Sequence, residues 1–433
     1  MFKYMSRRKF FRVVAILLGQ SMFSQRISFS KNLSKKNKKV LKDSFSHIYV
    51  GIGGSPEENT QKVLKLMGGI GRIINKDDIV ILKPNSQWWN QGMTNTNSMK
   101  EFVRQVLNLP NFMGEIIIAD NHQFQQDESR GWTTGTPNGD YNLNQLIQYF
   151  NDLGYKNVTK YHWHCGGPNK GLVQGNGHGD RVVNAAQDGD GYVWRDDMVY
   201  EVENGRKTMM TYPIFTSSYS RITIDLKNGA WKDGKYLKNK VKLINFPSLN
   251  HHSNWAGVTS CIKNYLGIVD MSCGYHGETP KKFYNFHYVG NYESKVNRYV
   301  EKLCRMAGIG YFEHFHGGPV GYFMKNVRMA DLNVVTAHCV GFGSRTDKKL
   351  SARPKAVLAS TDPVALDYYA AKYFLLRFTP KKLASKWGYN FYKYNDPDYI
   401  KGPFRRQLEE CHAEGIGNLD EARMKIHGFA LTR

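Results

Sequence analysis

The sequence predicts an α/β fold, with a mostly parallel sheet, helices on both faces, and a loop-rich, partly β insertion. Three observations predict it. Short apolar runs alternate with amphipathic helical patterns, as they do in βαβ units. Some of these runs are apolar at almost every position, which is typical of strands buried on both faces. The stretch from about 123 to 235 interrupts the alternation, because it is rich in Gly, Asn, Asp, Trp and Tyr.

Strands and helices are then predicted in order along the chain. The predicted strands are 47–52, 78–82, 115–119, 240–245, 331–337 and 356–360. The predicted helices are 56–67, 98–107, 142–153, 258–267, 292–306 and 362–374, and the C-terminal region is predicted to be mostly helical. Ser55 before Pro56 is a helix cap followed by proline at the first helical position. Residues 203–206 predict a hairpin turn inside the insertion.

Composition excludes several classes of protein. The chain has 433 residues, of which 41% are hydrophobic and 22% are charged. This composition is typical of a globular protein and excludes a disordered or collagen-like chain. No apolar run reaches the roughly 18 residues that a spanning helix needs, so no transmembrane domain is predicted beyond the signal segment described next. Six Cys without a C-x-x-C pair do not support a disulfide scaffold, a zinc ribbon or a ferredoxin-type cluster.

The N-terminus resembles an export signal. The sequence SRRKFFR at 6–12 precedes a short apolar stretch, VVAILLG, at 13–19. A basic segment before a short apolar one is typical of signal peptides, and the paired arginines resemble the twin-arginine signal. We predict a signal peptide over 1–30, a basic linker over 31–45, and an α/β domain over 46–433 with the insertion at about 123–235.

That resemblance implies a periplasmic or extracytoplasmic location, with the twin-arginine export machinery as a partner. The best cleavage triplet, at 28–30, lacks alanine, so cleavage and retention as an anchor both stay open. An amphipathic cytosolic N-terminus is the alternative interpretation.

The charge balance favours anionic partners. The net charge is +23, and residues 1–43 hold twelve basic side chains and one acidic one. The rest of the chain is therefore still strongly basic, which attracts anionic ligands. No zinc finger, RNP-type aromatic signature or basic helix accompanies this charge, so nucleic-acid binding is not indicated. An anionic small molecule is the predicted partner.

Polar side chains follow the ends of five predicted strands. Ligands of open α/β sheets bind beyond the carboxyl ends of the strands, so these residues are expected to meet at one edge. The candidates placed in this way are Lys83, Asn85, Asp120, His122, His251, His338 and Asp362. Lys263 and Asn264 follow shortly after the fourth of these strands, on the helix predicted over 258–267.

Five sequence blocks resemble the bacterial family known as domain of unknown function 362. The blocks are DIVILKPN at 78–85, IIIAD at 116–120, LINFPSLNH at 243–251, CIKNYLGI at 261–268 and ASTDPVALD at 359–367. The resemblance extends over about 47–375 and implies an α/β fold, with no settled biochemical role. Some relatives carry a fused ferredoxin-like domain, but this chain has no matching Cys array. A distant similarity to the nickel-pincer lactate racemases concerns the fold alone.

The candidate residues suit different roles. Lys83 is suited to hold a carboxylate or phosphate, or it is a surface lysine. Asp120 is suited to be a general base, a metal ligand or a cap. His251 and His252 point to opposite faces of an extended segment, and the resemblance favours His251. Asp362 either caps its helix or takes part in the chemistry.

The predicted site is assembled from these assignments. Lys263 and Asn264 are expected to face a bound anion. The predicted catalytic residues are Lys83, Asp120, His251, Lys263 and Asp362, and the predicted binding residues are Asn85 and Asn264. The predicted metal ligands are His251 and His122.

A divalent transition metal is an open hypothesis. The segments HWHC at 162–165 and HFH at 314–316 each place two His on one face if extended, and such ligands suit zinc, copper, iron or nickel. Their spacing matches no zinc signature. The segment DGDG at 188–191 lacks the closing Glu of a calcium loop and predicts a turn. Aromatic clusters at 87–89 and 389–394 are suited either to stack on sugar or quinone rings or to pack in the core.

Two functions follow from the sequence. The first is an exported α/β enzyme that acts on an anionic small molecule, with metal dependence left open. The alternative is a non-catalytic periplasmic metal-binding or redox-accessory protein. Polymer binding at the cell surface through the aromatic insertion is a third hypothesis. Whether the protein is an enzyme stays open at this point.

Overall fold

The computed structural model describes residues 45–121, 130–134, 139–163, 182–202, 205–237, 240–253, 256–271, 283–290, 317–385 and 388–428. Several sequence predictions lie outside these ranges, namely the signal peptide at 1–30, nearly all of the linker at 31–45, the helix at 292–306, and the histidines His122, His164, His314 and His316. Within the described ranges, no helix combines the length and apolar character that crossing a membrane requires.

Sixteen strands lie in the described ranges and form two sheets. In chain order they are β1 Ser46–Ile52, β2 Ile79–Pro84, β3 Glu115–Asn121, β4 Val158–Trp163, β5 Val182–Val183, β6 Gly191–Glu201, β7 Lys207–Thr216, β8 Thr223–Asp225, β9 Gly229–Lys232, β10 Lys235–Leu237, β11 Val241–Phe246, β12 Ser248–Ser253, β13 Gly257–Thr259, β14 Leu332–Gly341, β15 Ala356–Ser360 and β16 Met424–Gly428.

The main sheet has the strand order β16-β1-β15-β14-β11-β2-β3-β4, and β12 and β13 extend it beside β14. All neighbours along this order are parallel except the two pairs that contain β15. The prediction of a mostly parallel sheet is therefore confirmed. Since β15 alone runs the other way along this order, its carboxyl end points away from the edge at which its parallel neighbours end.

Helices cover both faces of the main sheet. The described α-helices are α1 Pro56–Leu66, α2 Thr96–Leu107, α3 Leu143–Asp152, α4 Cys261–Asn264, α5 Gly317–Asn326, α6 Pro363–Ala370, α7 Phe391–Asn395 and α8 Pro403–Ala413. Side chains alternate along a strand, so Val80 and Leu82 pack with α1, α2 and α3, whereas Ile79 and Ile81 belong to the core that includes α4, α5, α6 and α8. The apolar run of β2 at 79–82 thus reflects burial on both faces.

Side-chain caps set the starts of the first two helices. Ser55 accepts a hydrogen bond from the Glu58 amide, and the Glu58 side chain accepts one from the Ser55 amide, which is a capping box. At the start of α2 the cap is Asn95 rather than a residue near the predicted start. The helix therefore begins two residues earlier than predicted, at Thr96.

A second sheet lies inside the predicted insertion. It has the order β10-β9-β8-β7-β6-β5 and is antiparallel except between β5 and β6. Strands β6 and β7 pair on either side of the predicted turn, with Glu201 opposite Lys207. The Trp194 indole N–H donates to Asp270 at 2.9 Å, and the Tyr192 hydroxyl donates to the Ile268 carbonyl at 2.7 Å. These bonds attach the second sheet to the segment that follows α4.

Three element predictions are wrong in part. The helix predicted over 258–267 starts as strand β13, because this segment pairs with β12, and only then becomes α4 and a 3₁₀ turn. Strand β14 continues past residue 337 to Gly341, because its end pairs with β12. The C-terminal region includes a strand as well as helices, since β16 adds to the edge of the sheet beside β1.

Candidate functional site

Lys83 and Asp120 form a buried ion pair at the carboxyl ends of β2 and β3. The Lys83 Nζ lies 2.7 Å from Asp120 Oδ1, and both side chains are about 1% exposed. The same ammonium group donates to the Pro84 carbonyl at 2.6 Å and to Asn264 Oδ1 at 3.1 Å. The backbone and hydroxyl of Ser86 donate to Asp120 Oδ2 at 3.1 and 2.7 Å. The two predicted residues thus lie together, but each is bonded within the protein.

Burial lowers the pKa of Lys83, and the charge of Asp120 opposes this effect. An ammonium group has three N–H donors, and three acceptors already surround this one. Lys83 is therefore not placed to hold an external anion. Its contacts make it part of the framework beneath the site.

Gly267 packs directly on this ion pair. A Cβ at this position would lie 2.2 Å from Asp120 Oδ1 and 2.3 Å from Lys83 Nζ, which is far closer than van der Waals contact. The absence of a side chain at residue 267 lets the chain after α4 cover the pair and exclude water from it.

We expect Gly267→Ala to lower the free energy of unfolding by about 1–3 kcal/mol, because the added methyl group must displace buried, bonded atoms. Denaturant unfolding of the full chain measures this effect. Gly343→Ala is the matched control, since its nearest neighbours would lie at 3.4 Å. Equal losses for the two variants would contradict the close packing at Gly267.

A row of buried amide side chains crosses the sheet at the level of Lys83. Asn264 Nδ2 donates to Asn245 Oδ1 at 2.8 Å, and Asn245 Nδ2 donates to Asn333 Oδ1 at 2.9 Å. Asn333 Nδ2 donates in turn to the Ser360 carbonyl at 3.3 Å. The row connects β2, β11, β14 and β15 and holds Asn264 against the sheet.

Asp367 holds the other end of α4. Its carboxylate accepts from the backbone amides of Cys261 at 2.7 Å and Ile262 at 3.0 Å. Burial raises the pKa of Asp367 to about 6, although these amides oppose the effect. The first amides of α4 are therefore bonded to Asp367 and do not face an external anion. The short helix is thereby fixed at both ends, and Lys263 lies between them.

Lys263 is buried without an acceptor. The residue is 7% exposed, and within the part of the chain that the structure describes its ammonium has no hydrogen bond or ion pair. Burial, and next the charge of Arg345, lower the pKa of Lys263 well below its ordinary value. This environment contrasts with that of Lys83, whose neighbours include a carboxylate.

Arg345 brings a second positive charge to Lys263. Its guanidinium carbon lies 4.1 Å from the centre of the Trp88 ring, and one of its nitrogens lies 3.4 Å from His252 Nδ1. No carboxylate pairs with it among the described residues. Burial lowers the pKa of Arg345 to about 10, and the nearby charge of Arg130 adds to this effect. At neutral pH the guanidinium remains charged.

A third cation, Arg130, completes what we call the cation cluster, formed by Lys263, Arg345 and Arg130. The Arg130 guanidinium lies 4.5 Å from the Trp88 ring centre and donates to the Gln87 carbonyl at 2.9 Å. Trp88 therefore contacts two guanidinium groups, an arrangement that the attraction between cations and indole rings stabilises.

Hydrogen bonds lock the two loops that carry Trp88 and Arg345. Gln91 Nε2 donates to the carbonyls of Ser344 at 2.9 Å and Asp347 at 2.8 Å. Asn90 Nδ2 donates to the Thr346 carbonyl at 2.7 Å. These bonds from side chains to backbone carbonyls fix the loop of Trp88 to the loop of Arg345.

His251 lies in an aromatic pocket next to the cation cluster. Its Nδ1 lies 2.7 Å from Asn395 Oδ1, and its ring contacts the rings of Tyr389 and Phe391. The Asn395 Nδ2 donates to the Phe342 carbonyl, which orients the amide so that its oxygen faces the histidine. We therefore place the proton on Nδ1 and leave Nε2 unprotonated.

Burial lowers the pKa of His251 to about 4, so the ring is neutral at neutral pH. His252 points elsewhere, with its Nδ1 at 2.7 Å from the Thr259 hydroxyl. The prediction that the two adjacent rings have different surroundings agrees with these contacts. The aromatic segment at 389–394 packs around His251, which favours a core role for it.

Asp362 does not join this edge of the sheet. Its Oδ1 accepts from the amides of Val364 and Ala365, both at 2.9 Å, and its Oδ2 accepts from the Ser46 hydroxyl at 2.5 Å. It is the cap of α6, one of the two roles considered from the sequence. The expectation that all five strand ends meet fails here, because β15 is antiparallel to its neighbours.

Asn85 and His122 are the other two residues of the predicted site. Asn85 is buried and fixes the turn after β2, since its backbone N–H donates to the Thr94 hydroxyl at 2.7 Å. His122 lies outside the described residues. Within the described ranges, no group of three or more His, Cys, Asp or Glu side chains is arranged to hold a metal ion.

Arg345 is the main residue that the sequence analysis missed. The predicted strand at 331–337 pointed to His338 as the residue at its end, whereas β14 continues to Gly341. The loop that follows the true end carries Arg345. The same strand-end argument would have selected Arg345 if the strand length had been known.

One family model matches part of the chain. Residues 210–372 match the model of a family described as Domain of unknown function (DUF362). The matched range contains His251, Lys263 and Arg345, whereas Lys83 and Asp120 precede it. No curated protein and no solved structure matches the chain.

Proposed function

We propose that this chain is an exported α/β protein of the family above that binds an anionic small molecule at the cation cluster. The observation that carries the proposal is Lys263, a buried ammonium side chain that lacks an acceptor among the described residues. The twin-arginine resemblance at the N-terminus supports the export part of the proposal.

A buried charge without a partner is unfavourable, and proteins rarely retain one without a function. Lys263 and Arg345 lie close enough for the charge of one to lower the pKa of the other. A bound carboxylate or phosphate would remove this unfavourable interaction. The repulsion between Lys263 and Arg345 thus favours the binding of an anion.

The location also supports a ligand site. Lys263 lies on α4, which the bond from Asn264 to Asn245 holds near the carboxyl end of β11, and Arg345 follows the carboxyl end of β14. In open α/β sheets, ligands bind at this end of the strands. In this proposal Lys83, Asp120 and Asn264 are positioning residues. His251, whose pKa is lowered by burial and also by the charge of Arg345, is a neutral acid or base beside the cluster.

We expect Lys263→Met and Arg345→Met each to weaken anion binding by about 10- to 100-fold, as expected for the loss of a charged hydrogen bond worth roughly 1.5–3 kcal/mol. Thermal shift and calorimetry with phosphate, sulfate, citrate and glyoxylate measure this effect on the full chain. At least one of these anions is expected to stabilise the unaltered protein.

Lys349→Met is the matched control, because it removes one positive charge from the loop of Arg345 at an exposed position. We expect it to leave binding nearly unchanged, especially at physiological salt. If it weakens binding as much as Arg345→Met, the anions respond to the general positive charge of the protein. The proposed site would then be wrong.

A further inference from the structure

Lys263 differs from the other buried lysine of the site in a way that affects its reactivity. Lys83 and Lys263 are 0% and 7% exposed, respectively. Lys83 donates to a carboxylate and two further oxygens, whereas Lys263 has no acceptor among the described residues and faces the charge of Arg345. The two lysines are close in the fold, because Lys83 bonds to Asn264, the residue after Lys263. Their electrostatic surroundings are nevertheless opposite.

An amine is nucleophilic only in its unprotonated form. Burial disfavours the ammonium form, and a neighbouring cation disfavours it further. Lysines that react with carbonyl groups in enzymes are activated by these same two features. Within the described residues, no carboxylate next to Lys263 counteracts them.

We propose that Lys263 forms an imine with an aldehyde or ketone that carries a carboxylate or phosphate group, while this anionic group binds Arg345. The inference rests on the proposed function, since it uses the same anion site. It adds the class of ligand, an anionic carbonyl compound, and a covalent step.

The step needs no oxidant or reductant. The lone pair of Lys263 Nζ attacks the carbonyl carbon and forms a C–N bond, and the electrons of the C=O π bond move to oxygen, which takes a proton. The resulting carbinolamine loses water. That water contains the carbonyl oxygen and the two hydrogens that Nζ loses, so the products are one imine and one water molecule.

Arg345 determines which carbonyl compounds are suitable. A guanidinium binds a carboxylate or phosphate through two parallel hydrogen bonds, which fixes the ligand's orientation. A carbonyl carbon next to that anionic group is then directed toward the neighbouring cation-cluster residue, Lys263. Neutral aldehydes lack this anchor and are therefore expected to react with Lys263 more slowly than an aldehyde that carries a carboxylate.

The test is reductive trapping with glyoxylate. The full chain is incubated with glyoxylate and cyanoborohydride at neutral pH, digested, and mapped by mass spectrometry. We expect Lys263 to be labelled about ten-fold or more faster than exposed Lys349, because each unit by which the pKa of an amine is lowered raises its unprotonated fraction about ten-fold. Lys83 should remain unlabelled. Arg345→Met should slow the labelling of Lys263 and leave that of Lys349 unchanged, because the variant removes the anchor for the carboxylate and the charge next to Lys263.

Two outcomes separate this inference from the proposed function. If glyoxylate binds in an Arg345-dependent manner but Lys263 is labelled no faster than Lys349, the imine is wrong and the anion site stands. If glyoxylate neither binds nor labels Lys263, and the other anions do not bind, both proposals are wrong. The comparison within the unaltered protein does not depend on the folding of a variant.

Discussion

Lys83→Met is expected to lower the free energy of unfolding by about 3–5 kcal/mol, as is usual when one partner of a buried ion pair is removed. The substitution removes the cation that faces the Asp120 carboxylate, whose side chain is about 1% exposed. Among the described residues, the Ser86 donors and the backbone N–H of Asn121 then remain as its hydrogen-bond donors. The substitution also leaves the Asn264 oxygen without the lysine donor that it has in the unaltered protein. Denaturant unfolding of the full chain at neutral pH measures the loss.

Two variants distinguish the ion pair from the general effect of burying methionine. Adding Asp120→Leu to Lys83→Met should recover part of the loss, because the stranded carboxylate is then absent. Lys263→Met makes the same exchange at another buried lysine that has no acceptor among the described residues. We expect it to leave stability unchanged or to raise it.

The result would contradict our assignment of Lys83 to the framework if Lys83→Met and Lys263→Met had equal effects. A double variant less stable than Lys83→Met would likewise show that Asp120 stabilises the fold without its lysine. Either outcome would return Lys83 to the residues available for a ligand.

The part of the site that depends on strand order could be predicted from the sequence. Lys83 and Asp120 each follow a buried strand, and consecutive strands of βαβ units commonly lie side by side. Parallel neighbours end at the same edge, so the two side chains were expected to meet. The structure places them 2.7 Å apart. The periodicity of the sequence does not show that the two side chains form an ion pair with each other.

The part that depends on long-range pairing could not be predicted. The length of β14 is set by its contact with β12, and the sequence pattern around residue 337 does not show it. Arg345 was missed for that reason. The sequence does not indicate the direction of β15, because an apolar run before Asp362 and Pro363 is compatible with either a parallel or an antiparallel strand. The bond from Asp367 to the start of α4 joins residues 106 apart in sequence.

Residues whose hydrogen bonds are satisfied and residues whose charged groups lack a carboxylate partner in the described part of the chain have different functions in the proposal. Residues with satisfied hydrogen bonds, such as Lys83 and Asn264, form a rigid base. Lys263 and Arg345, which have no carboxylate partner among the described residues, lie just beyond it. A rigid base is necessary because these two side chains would otherwise move apart into solvent, and the site would lose its affinity before a ligand arrived.

We expect His251→Gln to change the pH dependence of the unfolding free energy more than the control variant His252→Gln does. The pKa of His251 in the folded protein is about 4, against an ordinary value of 6.5. Between these two values the unfolded chain binds a proton at this residue and the folded chain does not, so stability falls as the pH is lowered. The difference corresponds to about 3 kcal/mol, present in full above pH 6.5 and lost near pH 4.

His251→Gln removes this titration while an amide at the position can still donate to Asn395. The difference in unfolding free energy between the unaltered protein and the variant should therefore shift by about 3 kcal/mol between pH 7 and pH 4. Asp367, whose raised pKa is about 6, contributes the opposite slope in the same range. It is present in both proteins and cancels in the difference, as does Arg345, which keeps its charge throughout.

His252→Gln supplies the control for the unfolded state, because it also removes one titrating histidine from the unfolded chain. The ring of His252 is bonded to the Thr259 hydroxyl rather than enclosed by Tyr389 and Phe391. If the two variants changed the pH profile equally, the slope would come from the unfolded chain, and the burial of His251 would not be its cause. A slope lost only in His251→Gln would establish that the ring is neutral in the folded protein, which is the protonation state that a base beside the cation cluster requires.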